Sequence, residues 1–216
     1  MDVSSWEPIV LRGGAAVKRP APDFGDTPEL IDACRRGERA ALEQLLRAHT
    51  RDVERLIVRL VGPGPDVEDL LQLVLMAAVS AFPRFRGEAS VRTWMARIVV
   101  NVVREHLRRP ERKRRVSLEL VPEEPAVDTA PADQTLDHRR RLERLYHHLD
   151  ALPAKQRIAF VLHVFEGRAL DEIAALMGAS LAATKSRVFL ARRFVLGRAR
   201  KDPRLADLFP KPEMES

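Results

Sequence analysis

Two helical patterns meet across a glycine between Glu166 and Arg193, EGRALDEIAALMGASLAATKSRVFLARR, and no other stretch narrows the fold so far. Leu170, Ile173, Ala174 and Met177 recur at i, i+3, i+4 and i+7, which lays them on one face of a short helix. Gly178 stops that helix. Ser180 is a favourable N-cap for a second one, in which Leu181, Thr184, Val188, Ala191 and Val195 repeat at spacings of three and four as the buried stripe. Lys185, Ser186, Arg187, Arg192 and Arg193 occupy its other face. Two short helices around a glycine turn, the second apolar behind and basic in front, are what a helix-turn-helix needs to enter a major groove. An ordinary helical hairpin with a solvated charged face has the same pattern, so the context has to choose.

That context is a polyelectrolyte one. The 216 residues carry a formal charge of +6, with 45% hydrophobic content, enough for real cores in one large domain or two small ones. A basic chain favours a polyanionic partner, although charge speaks to association and not to fold. Cys34 is the only cysteine, which excludes an internal disulfide and a cysteine zinc cluster and suits a reducing cytoplasm. The most apolar run, Leu70 to Phe82, is broken by Gln72 and Ser80 and falls short of the roughly 20 residues that cross a bilayer. The N-terminus lacks the long apolar core of a secretory signal.

Periodicity divides the chain. Residues 1–26 show none and read as a mobile arm. Thr27 and Pro28 open a helix through ELIDACRRGERAALEQLLRAH, a second covers Arg51 to Val61, and the Gly62–Pro65 run GPGP is a loop. Asp66 caps a third helix to about Phe82, and a fourth spans about Val91 to Arg108, with Trp94, Ile98, Val102 and His106 near one face. From 116 to 135 five acidic residues and three prolines, with no basic residue, mark an acidic linker. Helical pattern resumes at Leu136, with Leu142, Leu145, Leu149 and Leu152 on one face, and Pro153 opens the helix that leads into the helix-turn-helix. Strand alternation between hairpin turns is missing, so the fold class is all-α. Residues 203–216 form a tail.

Between Arg104 and Arg115 seven Arg or Lys residues face only Glu105 and Glu111, more than a helix C-terminus needs for its dipole. Each phosphate that such a run neutralised would add about −0.9 to the salt slope on duplex DNA. Phe82, Phe85, Trp94 and Asn101 lie just upstream. Aromatics beside cations suit unstacked bases, and an amide reads base edges, while aromatics at helical spacing equally suit a core.

The segments DVEDLLQLVLMAAVSAFPRFRGEASVRTWMARIVVNVVREHLRR and LDALPAKQRIAFVLHVFEGRALDEIAALMGASLAATKSR, in this order and separation, resemble an extracytoplasmic-function sigma factor of bacterial RNA polymerase. The resemblance covers about residues 27 to 200. It implies two helical domains: 27–115 as region 2, which binds core polymerase and the minus 10 element, and 136–202 as region 4, which binds the minus 35 element. On matching positions it implies that Asp66, Asp69, Leu70, Gln72, Leu73 and Leu75 form the face for the clamp helices of the largest polymerase subunit. It implies a minus 10 site of Phe85, Arg86, Gly87, Trp94, Asn101, His106, Arg108 and Arg109, and a minus 35 site of Ser180, Ala182, Ala183, Lys185, Ser186, Arg187 and Arg192. Partners implied are core polymerase, its clamp helices and flap, duplex and melted promoter DNA, and an anti-sigma factor; no cofactor and no membrane insertion are implied. The acidic linker resembles the family's, which threads toward the active-site cleft and RNA exit channel. Leu73 and Leu75 stand where the family has an acidic residue and a phenylalanine, Val79 where it has a tryptophan, and Leu190 where it often has an arginine.

Catalytic signatures are missing: no metal-ligand spacing, phosphate-cradling loop or nucleophile-base set appears, and His147 and His148 read as an exposed pair on a helix. Two other functions fit parts of the pattern, an operator-binding helix-turn-helix regulator independent of polymerase and a degenerate sigma-like adaptor. The sigma reading expects two compact bodies with separate interiors.

Overall fold

The computed structural model describes residues 25–108 and 132–206, with side chains of the second segment from 140 onward. The arm to 24, most of the acidic linker, Arg109 with the rest of the basic run, and the tail from 207 lie outside the described residues. Every regular element within them is helical: α1 (Pro28–Arg35), α2 (Arg39–Val61), α3 (Asp66–Ala81), a 3-10 turn (Phe82–Arg84), α4 (Val91–Arg108), α5 (Ala132–Leu149), α6 (Ala154–Val164), α7 (Leu170–Met177) and α8 (Leu181–Ala199).

Two boundaries differ from the sequence expectation. The first break falls at Gly37, whose φ of 83° only glycine adopts freely, so α2 runs unbroken through Thr50 and Arg51. Thr50 does not interrupt it because its hydroxyl donates to the Leu46 carbonyl at 2.8 Å within the same helix. Helix α5 starts at Ala132, inside the expected linker.

The larger difference is that the two helical bodies are not separate. Buried residues of α2, α3 and α4 and of α5 to α8 form one continuous apolar interior, and α4 packs on α6 and α7. The cause sits at the end of α2. In an α-helix the Arg59 and Val61 carbonyls would accept from the N–H groups four residues on, but those residues are Pro63 and Pro65, which have none. The Tyr146 hydroxyl from the other body reaches the Arg59 carbonyl in that gap, and two further bonds from that body land on the carbonyls beside it. The Tyr146 hydroxyl donates to the carbonyls of Val58 at 3.2 Å and Arg59 at 3.3 Å, and Arg157 Nε donates to the Leu60 carbonyl at 2.7 Å. Gly62 lets Tyr146 approach: a Cβ there would lie 3.0 Å from the ring. Arg59 and Glu166 pair across the same seam.

Candidate nucleic-acid and polymerase interfaces

Helix α3 buries Val67, Leu70, Val74 and Ala78 and turns Asp69, Gln72, Leu73, Met76 and Val79 to solvent. Large apolar side chains seldom stay this open, and here Leu73 is 53%, Met76 66% and Val79 46% exposed on one helical face, an unpartnered apolar strip. The two leucines that depart from the family pattern therefore part company. Leu73 belongs to the outer strip, while Leu75 is half-buried against the core. Leu70 lies wholly inside and shapes the face from behind. Asp66 is half-buried at the helix start, 3.4 Å from His106 Nε2.

The aromatic residues ahead of α4 form a cluster, with centroids of Phe82, Phe85 and Trp94 between 5.3 and 5.4 Å apart. Phe82 and Phe85 are buried, and Trp94 is half-buried. Such tilted and edge-to-face packing is core behaviour, so the buried ring of Phe85 supports the loop after it instead of presenting itself. Arg35 pins that loop from α1 by donating Nε to the Phe85 carbonyl at 3.1 Å with its guanidinium over the Phe85 ring. Gly87 follows at φ 77°, exposed beside exposed Arg86. The Ser90 hydroxyl accepts from the Thr93 N–H at 3.2 Å, capping the start of α4.

From there a stripe at spacings of three and four runs down α4: Trp94, Arg97, Asn101, Arg104 and Arg108. Arg104 Nη2 donates to Asn101 Oδ1 at 3.0 Å, which holds the amide with its two N–H donors left for another acceptor. Arg97 extends the set that the sequence pointed to, although its spacing from Trp94 and Asn101 is legible there, and Arg104, the first of the basic run, lies on the same face. His106 is elsewhere. It is 6% exposed, on the inner side of α4, joined to Asp66 of α3.

The helix-turn-helix is built as its sequence suggests. Helix α7 buries Ile173, Ala174, Leu176 and Met177, its Glu172 carboxylate accepts from the Ala169 N–H at 3.1 Å, and Gly178 closes it in the left-handed region at φ 58°. Ser180 Oγ accepts from the Ala183 N–H at 3.2 Å to start α8, and the two helices meet at 105°. Thr184, Val188, Ala191 and Val195 are buried, but Leu181 departs from the expected stripe and is 45% exposed at the first turn. Ala182 and Ser186 head the outward ridge, while Lys185 and Arg187, about 100° to either side of Ser186, flank it half-buried. Arg192 is half-buried, and burial lowers the pKa of its guanidinium.

Behind the motif, Asp202 clamps α5 to the end of α8. Arg144 Nε donates to it at 2.9 Å and His148 Nε2 lies 3.1 Å away. His148 is thus buried, not exposed as the sequence suggested; its neighbour His147 is exposed. Burial raises the Asp202 pKa, and hydrogen bonds from the Arg204 N–H, His148 and Arg144, with the Arg144 charge, outweigh that and hold it below the ordinary carboxylate value.

Comparison with known proteins sets these faces in a family. The Sigma-70 region 2 family matches residues 45–114 and the Sigma-70, region 4 family matches residues 142–195. The ECF RNA polymerase sigma factor SigM of Mycobacterium tuberculosis is 33% identical over 179 residues, 80% of this chain and 87% of that protein. This chain belongs to the ECF RNA polymerase sigma factors. Among other members, the ECF RNA polymerase sigma-E factor of Escherichia coli is 28% identical over 173 residues, 77% of this chain and 90% of that protein. Of the solved structures, CnrH in complex with the cytosolic domain of CnrY superposes with TM-score 0.57 at 24% identity, covering 81% of this chain and 97% of that one. The sigma factor RpoE in complex with the anti-sigma factor NepR from Bartonella quintana gives 0.54 at 23%, covering 74% and 97%. At these identities the two structures support the fold. As an ECF sigma factor the chain has its region 2 match ending beyond α4 and its region 4 match spanning α5 to α8, so the α3 strip and the α4 stripe fall in region 2 and the capped α8 in region 4.

Proposed function

We propose that this sigma factor binds core RNA polymerase through the outer strip of α3 and directs it to a two-part promoter. The stripe of α4, with Arg86 and Gly87 before it, holds melted minus 10 DNA, and α8 reads the duplex minus 35 element. The observation that carries this reading is the coexistence, in one family member, of an unpartnered apolar strip with two separately directed polar faces. Each polar face has its helix start capped by a serine, Ser90 for α4 and Ser180 for α8. On α8, Ala182 and Ser186 meet base edges and Lys185 and Arg187 meet the phosphates on either side. On α4, Arg97, Arg104 and Arg108 follow the backbone and the Asn101 amide meets a base. Leu70, His106 and Phe85 serve these faces from the interior.

The protein changes no bond itself; the polymerase supplies the chemistry, in the cytoplasm. No single described helix is long and apolar enough to cross a membrane. An anti-sigma factor that covers these faces is the expected control, by analogy with RpoE of Bartonella quintana, which is bound by the anti-sigma factor NepR. Run-off transcription with purified core and a genomic promoter library tests the proposal. It predicts a heparin-resistant, promoter-specific complex, and a chain that forms none with any promoter is not a sigma factor in action.

A further inference from the structure

The buried stripe of α8 leaves a ridge of exposed residues on the opposite side, Ala182, Ser186, Leu190 and Arg193, at spacings of four, four and three. Leu190 is 44% exposed and lies outside the apolar interior. A single exposed leucine on a solvated helix asks for no explanation. This one is three residues from both Arg187 and Arg193 and four from Ser186, which places it beside all three on the helix surface. Cations on phosphates fix the register and depth at which a helix lies in its groove. With Lys185 and Arg187 on the phosphates to either side, the ridge between them faces the base edges, and Leu190 is part of that ridge.

Leucine has one way to gain there. It neither donates nor accepts a hydrogen bond, so water that it displaces from a guanine, adenine or cytosine edge is not replaced, and the desolvated groups are left unpaired. Thymine alone offers it an apolar group in the major groove, the C5-methyl. We propose that Leu190 is a specificity-determining residue that reads the C5-methyl of a thymine in the duplex minus 35 element. The proposal rests on the reading role of α8 argued above and names a base that it selects. Helical rise carries Leu190 about 6 Å beyond Ser186 along the axis. At about 3.4 Å per base pair, the thymine lies about two pairs from the pair that Ser186 meets.

The test uses the full chain on core polymerase, titrated with a promoter that it selects from the genomic library. Each thymine of the minus 35 element, on either strand, is replaced in turn by uracil, which removes the methyl group and nothing else. One replacement should weaken native binding about fourfold, the worth of one buried methyl group. Leu190→Ala should weaken binding to the thymine promoter by a comparable factor and lose discrimination between thymine and uracil at that pair. Its salt slope should match the native one, since no phosphate contact is lost. Cytosine methylated at C5, placed at the same position, should bind the native chain more tightly than plain cytosine and the variant equally. A native holoenzyme indifferent to every uracil, or a Leu190→Ala variant that keeps the native thymine preference, overturns the proposal. Equal weakening of that variant on thymine and uracil promoters, with the native preference intact, assigns Leu190 to a contact with polymerase and overturns it too. A holoenzyme with no base preference anywhere in the minus 35 element overturns the reading role of α8 itself, a failure visible in the native chain before any substitution at Leu190.

Discussion

At the residue scale, the flanking cations of α8 and its central ridge should separate by readout. Lys185→Ala and Arg187→Ala should weaken binding to every sequence alike and reduce the salt slope by about one unit each, because a phosphate contact releases counterions and carries no base information. Ser186→Ala should instead relax preference at one base pair by about 1 to 3 kcal/mol with the slope unchanged. Titrations of duplex minus 35 DNA at several salt concentrations measure both; a Lys185 or Arg187 variant with unaltered affinity and slope would remove the assignment. Asp202 gives a pH prediction. Its folded pKa is depressed, so its contribution is complete above its unfolded value of about 4 and fades as pH falls through the lower folded value. Asp202→Asn should therefore cost about 1 to 3 kcal/mol at pH 7, and urea melts should find the gap to the native chain closing toward pH 3.

At the scale of elements, α3 splits two residues that its sequence pattern leaves alike. Leu73 and Leu75 look equivalent as departures from a family pattern, yet a helix turns about 200° between them, placing one outside and the other against the interior. Leu73→Glu should change stability by no more than about 0.5 kcal/mol, whereas Leu75→Ala should cost about 1 to 3 kcal/mol, both by thermal melts. Met76→Asp, in the middle of the exposed strip, should weaken polymerase binding while leaving the melt in place; intact affinity would mean the strip is not the docking face. Periodicity and capping make most helices legible, since those signals are local: Thr27 with Pro28, Gly178 and Ser180 all mark the ends they are expected to mark. The break expected before Arg51 has no strong helix breaker behind it, whereas the real one, Gly37, sits within a pattern that looks continuous. The Arg97 position is readable from its spacing to Trp94 and Asn101, but the family motif does not include it.

At the scale of the molecule, the two regions can be read from sequence but their union cannot. The union joins apolar faces of α4, α6 and α7 and brings Tyr146 and Arg157 to carbonyls some 90 residues earlier, and nothing local to Tyr146, Arg157 or the GPGP loop announces that meeting. One interior implies one cooperative unit, since contacts shared across the seam couple the free energies of the parts. Denaturant unfolding followed by Trp94 fluorescence in a Trp6→Phe chain, which reports region 2, and by hydrogen exchange of α8 amides, which reports region 4, should give coincident midpoints. Leu60→Ala, at a fully buried position of α2 whose carbonyl takes the Arg157 hydrogen bond, should lower both midpoints together by an amount equivalent to about 2 to 5 kcal/mol. If α8 exchanges at its original denaturant concentration while Trp94 melts early, the regions fold independently and the shared interior contributes little to either. Coincident shifts would mean that a change on α2 reaches α8 through the shared interior, so that the two regions stand or fall as one thermodynamic unit.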